Sequence, residues 1–108
     1  MSIDIIELPD QTTAPPVLRP DNKVKRPPMY TCVILNDDWT SMEFVVMVLV
    51  NVFNLSRDEA TATMLKVHKE GKANVGSYTY EVASHKAETT MMLARKHEYP
   101  LLVSPEAI

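Results

Sequence analysis

The sequence predicts an α+β domain: a small antiparallel three-stranded sheet packed against three helices. Three observations carry this. Short β-branched runs and longer helix-forming runs follow one another in the order β-α-α-β-α-β. Parallel crossovers do not alternate regularly along that order, which argues against a doubly wound sheet and for helices segregated from an antiparallel one. A chain of 108 residues with 45% hydrophobic content fits a single domain with a small but real core.

Residues 1–26 stand apart from the rest. Pro9, Pro15, Pro16 and Pro20 interrupt them, and Thr, Asp and Asn fill the gaps. A segment of this composition buries little and is expected to be a flexible extension, although Ile3, Ile5, Ile6 and Leu8 form a short apolar patch in it. Pro27 and Pro28 close the linker, and 27–108 is the folded domain. Residues 29–36, MYTCVILN, are β-branched and aromatic and read as strand one. Thr40-Ser41-Met42-Glu43 has capping-box spacing, with Thr40 expected to cap the amide of Glu43. Helix one then runs from about Ser41 to Phe53, apolar on most sides, so deep burial is expected. Ser56-Arg57-Asp58-Glu59 is a second capping box, opening a helix that continues to Glu70 and stops at Gly71. In KANVGSYTYEV, Val75, Tyr78 and Tyr80 have a strand-like context with Gly76 as a bend. Helix formers return over 81–97, and the proline-marked YPLLVS is an edge or terminal strand.

Composition excludes several classes. The net charge of -3 argues against a general nucleic-acid binder, which carries a basic face. Cys32 is the only cysteine, so an intrachain disulfide and CxxC zinc ligation are excluded, and a small core residue is expected there. No apolar run reaches the roughly 18–20 residues of a membrane span. The acidic start MSIDIIELPD lacks the basic region of a secretory signal and matches a transit peptide poorly, so the cytoplasm is the expected location.

The chemistry concentrates in two places. Asn36, Asp37 and Asp38 follow strand one directly. Turn formation and favourable charge near a helix start can explain them, and adjacent carboxylates alone say little about a metal. On helix two, Met64, Val67 and His68 are spaced i, i+3, i+4 and share one face. Met42 and Val45 lie one turn apart at the start of helix one. Each of these has an ordinary core or surface explanation. If helices one and two are neighbours, however, Asn36, Asp37, Asp38 and His68 ring the mouth of a pocket walled by Met42, Val45, Met64 and Val67. Such a pocket suits a cationic donor head beside a bulky apolar group, as at the free N-terminus of a chain.

These residues also carry a resemblance. PPMYTCVILNDDWTSMEFVVMVL, then ATATMLKVHKEGKANVGSYTYEVA and HEYPLL, resemble the ClpS family over essentially the whole folded domain. That family delivers substrates of the bacterial N-degron (N-end rule) pathway to the ClpA unfoldase and its ClpP protease. The resemblance implies that Asn36, Asp37, Asp38 and His68 bind the α-amino group. It implies a hydrophobic pocket of Thr40, Met42, Val45, Met64, Val67 and Leu101, in which Met42 excludes β-branched first residues. The expected ligands are then chains beginning with Phe, Leu, Tyr or Trp. It also implies unfoldase docking around Tyr80, Glu81 and Lys86, and an extension, 1–26, that engages the unfoldase. Ser41 and Trp39 depart from the proline and tyrosine usual in the family.

The expected mechanism is binding without catalysis, cofactor or metal, with N-degron substrates and a ClpA-type unfoldase as partners and neither nucleic acid nor membrane among them. Affinity is expected to peak near neutral pH, because the ligand amine must be charged and the imidazole neutral. Two alternatives are an unfoldase regulator that does not read N-termini and a metal-dependent hydrolase using Asp37, Asp38 and His68. Against the hydrolase, the chain has no HExxH, no activated serine and no glycine-rich loop.

Overall fold

The computed structural model describes residues 27–108. The expectation for the 1–26 extension lies outside the described residues. The elements are β1 (Tyr30–Leu35), α1 (Met42–Asn51), α2 (Arg57–Glu70), β2 (Lys72–Tyr78), α3 (Tyr80–Lys96) and β3 (Leu102–Ala107). This is the expected β-α-α-β-α-β order. The strands form one antiparallel sheet in the order β2-β1-β3. Being central, β1 is hydrogen-bonded on both sides, and the whole stretch from Thr31 to Ile34 is buried. Pro105 falls in β3, an edge strand, where a missing N–H donor is tolerated.

One core holds the layers together. Cys32 and Ile34 of β1 meet Phe44, Val45, Val48 and Leu49 of α1, Ala60 and Val67 of α2, and Ala83, Ala87 and Ala94 of α3. Alanines on α3 let that helix lie close across the sheet, where it contacts all three strands. Cys32 is the core residue expected: its thiol donates to Ala83 O at 3.3 Å. Burial pushes that thiol up despite the nearby Lys86 charge, which keeps it protonated and unreactive.

Helix ends follow local chemistry. Ser56 and Glu59 form the expected capping box, each N–H donating to the other's side chain at 3.1 Å. The first helix is capped differently from the sequence expectation. Ser41, not Thr40, is its N-cap and accepts from Phe44 N–H at 3.1 Å. The reason is competition: the Thr40 hydroxyl donates to Asp37 Oδ2 at 2.7 Å, so the cap moves one residue on. Two further corrections follow. Tyr80 is the first residue of α3 and not part of the strand, because β2 ends at Tyr78 and Thr79 takes the cap position. And α1 is not buried all round: Met42 is 45% exposed, and Val46, Met47 and Val50 are only half-buried. Among the described residues, α2 flanks that face, and the two helices line a hollow between them.

Gly76 makes the bend expected of it. Tyr30 pairs with Tyr78 and Cys32 with Val75, so β2 carries one extra residue across that step. Gly76 sits in this bulge at φ +73, and the Tyr78 ring packs into the space a side chain would need.

Candidate functional site

The loop after β1 is organised by one carboxylate. Asp37 Oδ1 accepts from the N–H groups of Trp39 and Thr40 at 2.8 and 2.7 Å, and its Oδ2 accepts from the Thr40 hydroxyl at 2.7 Å. Partial burial raises the Asp37 pKa, but these three hydrogen bonds outweigh it and hold the carboxyl below its ordinary value. A carboxyl depressed in the folded state adds stability above its unfolded pKa and loses it as pH falls through the folded value. The loop should therefore keep its order from alkaline pH down through mild acid and loosen only below the ordinary carboxylate range. Asp37→Ala should cost about 1–2 kcal/mol in urea melts. It should also speed hydrogen exchange at the Trp39 and Thr40 amides, and unchanged exchange there would mean the loop is held by something else.

A second lock joins this loop to α2. Gly71 takes φ +90 and ends the helix, its N–H donating to Val67 O at 2.9 Å. The Gly71 carbonyl in turn accepts from Asn36 N–H at 2.9 Å. Asn36 is thereby tied to the end of the helix whose last turn carries His68.

These two constraints make the pocket. Asn36, Asp37, Asp38, Thr40, Met42, Val45, Met64, Val67 and His68 line one cavity of about 200 Å³. Its inner wall is apolar, with Val45 and Val67 buried in the core and Met42 forming an exposed lip. Asn36, Asp38 and His68 are exposed at the rim. Asp37 already accepts three hydrogen bonds within the loop and is half-buried, whereas Asn36, Asp38 and His68 are exposed at the rim. An apolar cavity of about 150 Å³ accepts benzene, so this volume is right for one large side chain.

Four expected site residues lie elsewhere. Leu101 is 4% exposed in the core and does not line the pocket. Tyr80 and Glu81 are exposed on the first turn of α3, with the Tyr80 ring set edge-on against Tyr30 at 5.1 Å. Lys86 is folded inward: its Nζ donates to Val52 O at 2.7 Å and lies over the rings of Phe53 and Tyr78. It thus satisfies a carbonyl left open at the end of α1. Sequence reasoning missed a second hollow on the other side of Met42 and Met64, between α1 and α2 and about 570 Å³ in volume. Its signal was the unbroken apolar run of α1, which was read as burial. Among the described residues, no three His, Cys, Asp or Glu side chains gather to hold a metal, and no helix is long and apolar enough to cross a membrane.

Comparison with known proteins identifies the family. Residues 25–104 match the family model of the ATP-dependent Clp protease adaptor protein ClpS. The chain belongs to the ClpS family. ClpS proteins from several bacteria are similar to it along most of their length. That of Helicobacter hepaticus is 45% identical over 86 residues, which cover 80% of this chain and 87% of the relative. That of Paraburkholderia xenovorans is 46% identical over 94 residues, covering 87% of this chain and 90% of the relative. That of Hyphomonas neptunium is 52% identical over 79 residues, 73% of this chain and 67% of the relative. Among solved structures, Agrobacterium tumefaciens ClpS2 bound to L-phenylalaninamide superposes with a TM-score of 0.75 at 35% identity, covering 77% of this chain and all of that one. The ClpS family consists of adaptors of the Clp protease, and the expected fold is the one found.

Proposed function

We propose that this ClpS protein binds the free α-amino group and large hydrophobic first residue of N-degron substrates and hands them to a ClpA-type unfoldase. The observation that carries the reading is a pocket with an acceptor rim and an apolar interior. In this reading, Asn36 Oδ1 and the unprotonated His68 ring nitrogen accept from the ammonium, and Asp38 supplies negative potential. Asp37 acts indirectly, by holding the loop. The first side chain enters between Val45, Met64 and Val67, with Thr40 and Met42 at the mouth, while Leu101 backs the core behind them. Phenylalaninamide, the ligand of the Agrobacterium tumefaciens ClpS2 structure, has the same two features, a free amine and one bulky apolar group. Substrates would begin with Phe, Leu, Tyr or Trp.

Unfoldase docking falls to the exposed Tyr80 and Glu81. Lys86 contributes by fixing the end of α1, since its ammonium is engaged internally. The extension 1–26 would engage the unfoldase, and the protein would work in the bacterial cytoplasm.

Fluorescence anisotropy with labelled peptides that differ only in residue one tests the reading. Tight binding of the Phe, Leu, Tyr and Trp peptides is expected, with Ile, Ala and acetyl-Phe peptides failing. Equal binding of all, or of none, would overturn it. Met42 tests selectivity within the same assay. Met42→Ala opens the lip and should raise affinity for Ile and Val peptides about tenfold. The Phe peptide should change little, because Val45, Met64 and Val67 still enclose it.

A further inference from the structure

The larger hollow between α1 and α2 has no role in the reading above. Its floor is Val46, Met47 and Val50 of α1 with Met64 of α2, and Arg57 stands at its edge. A helix face turned to solvent ordinarily carries charged side chains. Over the ten residues of α1 only Glu43 and Asn51 are polar, so this face is built to be covered.

We propose that this groove is the docking site for the apolar segment 3–8 of the chain's own N-terminal extension. Three observations select that occupant over an outside partner. First, within 1–26, Ile3, Ile5, Ile6 and Leu8 are the densest apolar cluster, and Asp4 and Glu7 between them complement Arg57 at the groove edge. Second, the described chain begins at the end of the sheet that lies near the C-terminal end of α1. Residues 27–29 lead into β1, whose Tyr30 pairs with Tyr78. The Tyr78 ring is 6.5 Å from that of Phe53, two residues beyond Asn51 at the end of α1. Third, the tether suffices. Residues 9–26 can span about 60 Å when extended, whereas a ten-residue helix is about 15 Å long. A tether of this kind gives the segment a millimolar effective concentration at the groove, so a weak contact is enough.

The groove shares Met42 and Met64 with the smaller pocket. A docked segment therefore presses on the outer side of the two methionines whose inner side faces the pocket. The docking itself does not depend on what the pocket binds.

Methyl NMR on the full chain tests the proposal. Met47 and Val50 line only the groove, and Val45 and Val67 only the pocket, so the two sites report separately. Deleting residues 2–10 should shift the Met47 and Val50 methyls and leave those of Val45 and Val67 near their positions. Adding an acetylated peptide of residues 1–10 to the shortened chain should restore the original shifts. Acetylation removes the amine, so such a peptide cannot act through amine recognition. An Ile3→Asp, Ile6→Asp peptide should bind about tenfold more weakly. Met47→Glu in the protein, at a half-exposed position that does not threaten the fold, should abolish the effect. No shift on deletion overturns the proposal. Shifts confined to Val45 and Val67 would instead put the extension in the pocket. Shifts that depend on protein concentration would make the occupant a second copy.

Discussion

Asn36→Ala is expected to weaken binding of a Phe-initiated peptide by about 1–3 kcal/mol, or roughly five- to 150-fold, without unfolding the protein. The loss follows from leaving an ammonium donor without its acceptor at the rim. The fold should be unaffected because the Asn36 side chain is exposed and its structural bond, to Gly71 O, is made by the backbone N–H that alanine keeps. His68→Ala should produce a loss of the same size, since it too presents an acceptor at the rim. The double variant should lose less than the sum of the two, because both groups address one ammonium. Acetylating the peptide should remove binding altogether, as it deletes the charge and two of the donors. Affinity should also decline above about pH 8, where an α-amine, with a reference pKa near 7.7–8.0, gives up its proton. Anisotropy beside a urea melt separates the outcomes. If Asn36→Ala and His68→Ala both bind normally, the amine is not held at this rim. The chain would then regulate its unfoldase without reading N-termini.

The second large effect concerns stability. Gly76→Ala is expected to cost roughly 3 kcal/mol, and Gly71→Ala only about 1 kcal/mol. Both glycines have positive φ, +73 at Gly76 and +90 at Gly71, so alanine meets a backbone penalty at each. They differ in their surroundings. A methyl group on Gly71 meets nothing within 4 Å, whereas on Gly76 it runs into the Tyr78 ring. Moving that ring disturbs its contacts with Phe53 and with the Lys86 ammonium that closes α1. Urea denaturation of both variants would measure the difference. Equal costs would mean that Tyr78 swings aside freely and that the β2 bulge is held by backbone alone. Because Gly71 also positions Asn36, its variant should lose peptide affinity out of proportion to its small loss of stability. Gly76→Ala should do the reverse.

Much of this was legible because it depends on neighbours in the chain. The Ser56 capping box, the Gly71 stop, the Gly76 bend and the buried Cys32 each rest on a handful of adjacent residues or on one strong preference. The helical spacing of Met64, Val67 and His68 put them on one face before any packing was known. The same local reasoning failed where two local solutions competed. Thr40 and Ser41 were both fit to cap α1, and only the position of the Asp37 carboxylate decided between them. It failed again at Tyr80, where a β-forming residue was drawn into a helix by the turn at Thr79.

By itself, then, the sequence determined the order of elements, the ends of α2, the polar and apolar halves of the pocket, and the family resemblance. The tertiary structure alone decided which carboxylate organises the loop. Asp37 and Asp38 are chemically alike, and only the folded loop turns the first back onto its own amides and leaves the second exposed at the rim. It also decided that Lys86 is an internal strut and that, among the described residues, one apolar face of α1 is left partly exposed. Hydrophobicity in a sequence states that a residue gains by burial, but whether anything lies there to bury it depends on how many layers the fold stacks on that side.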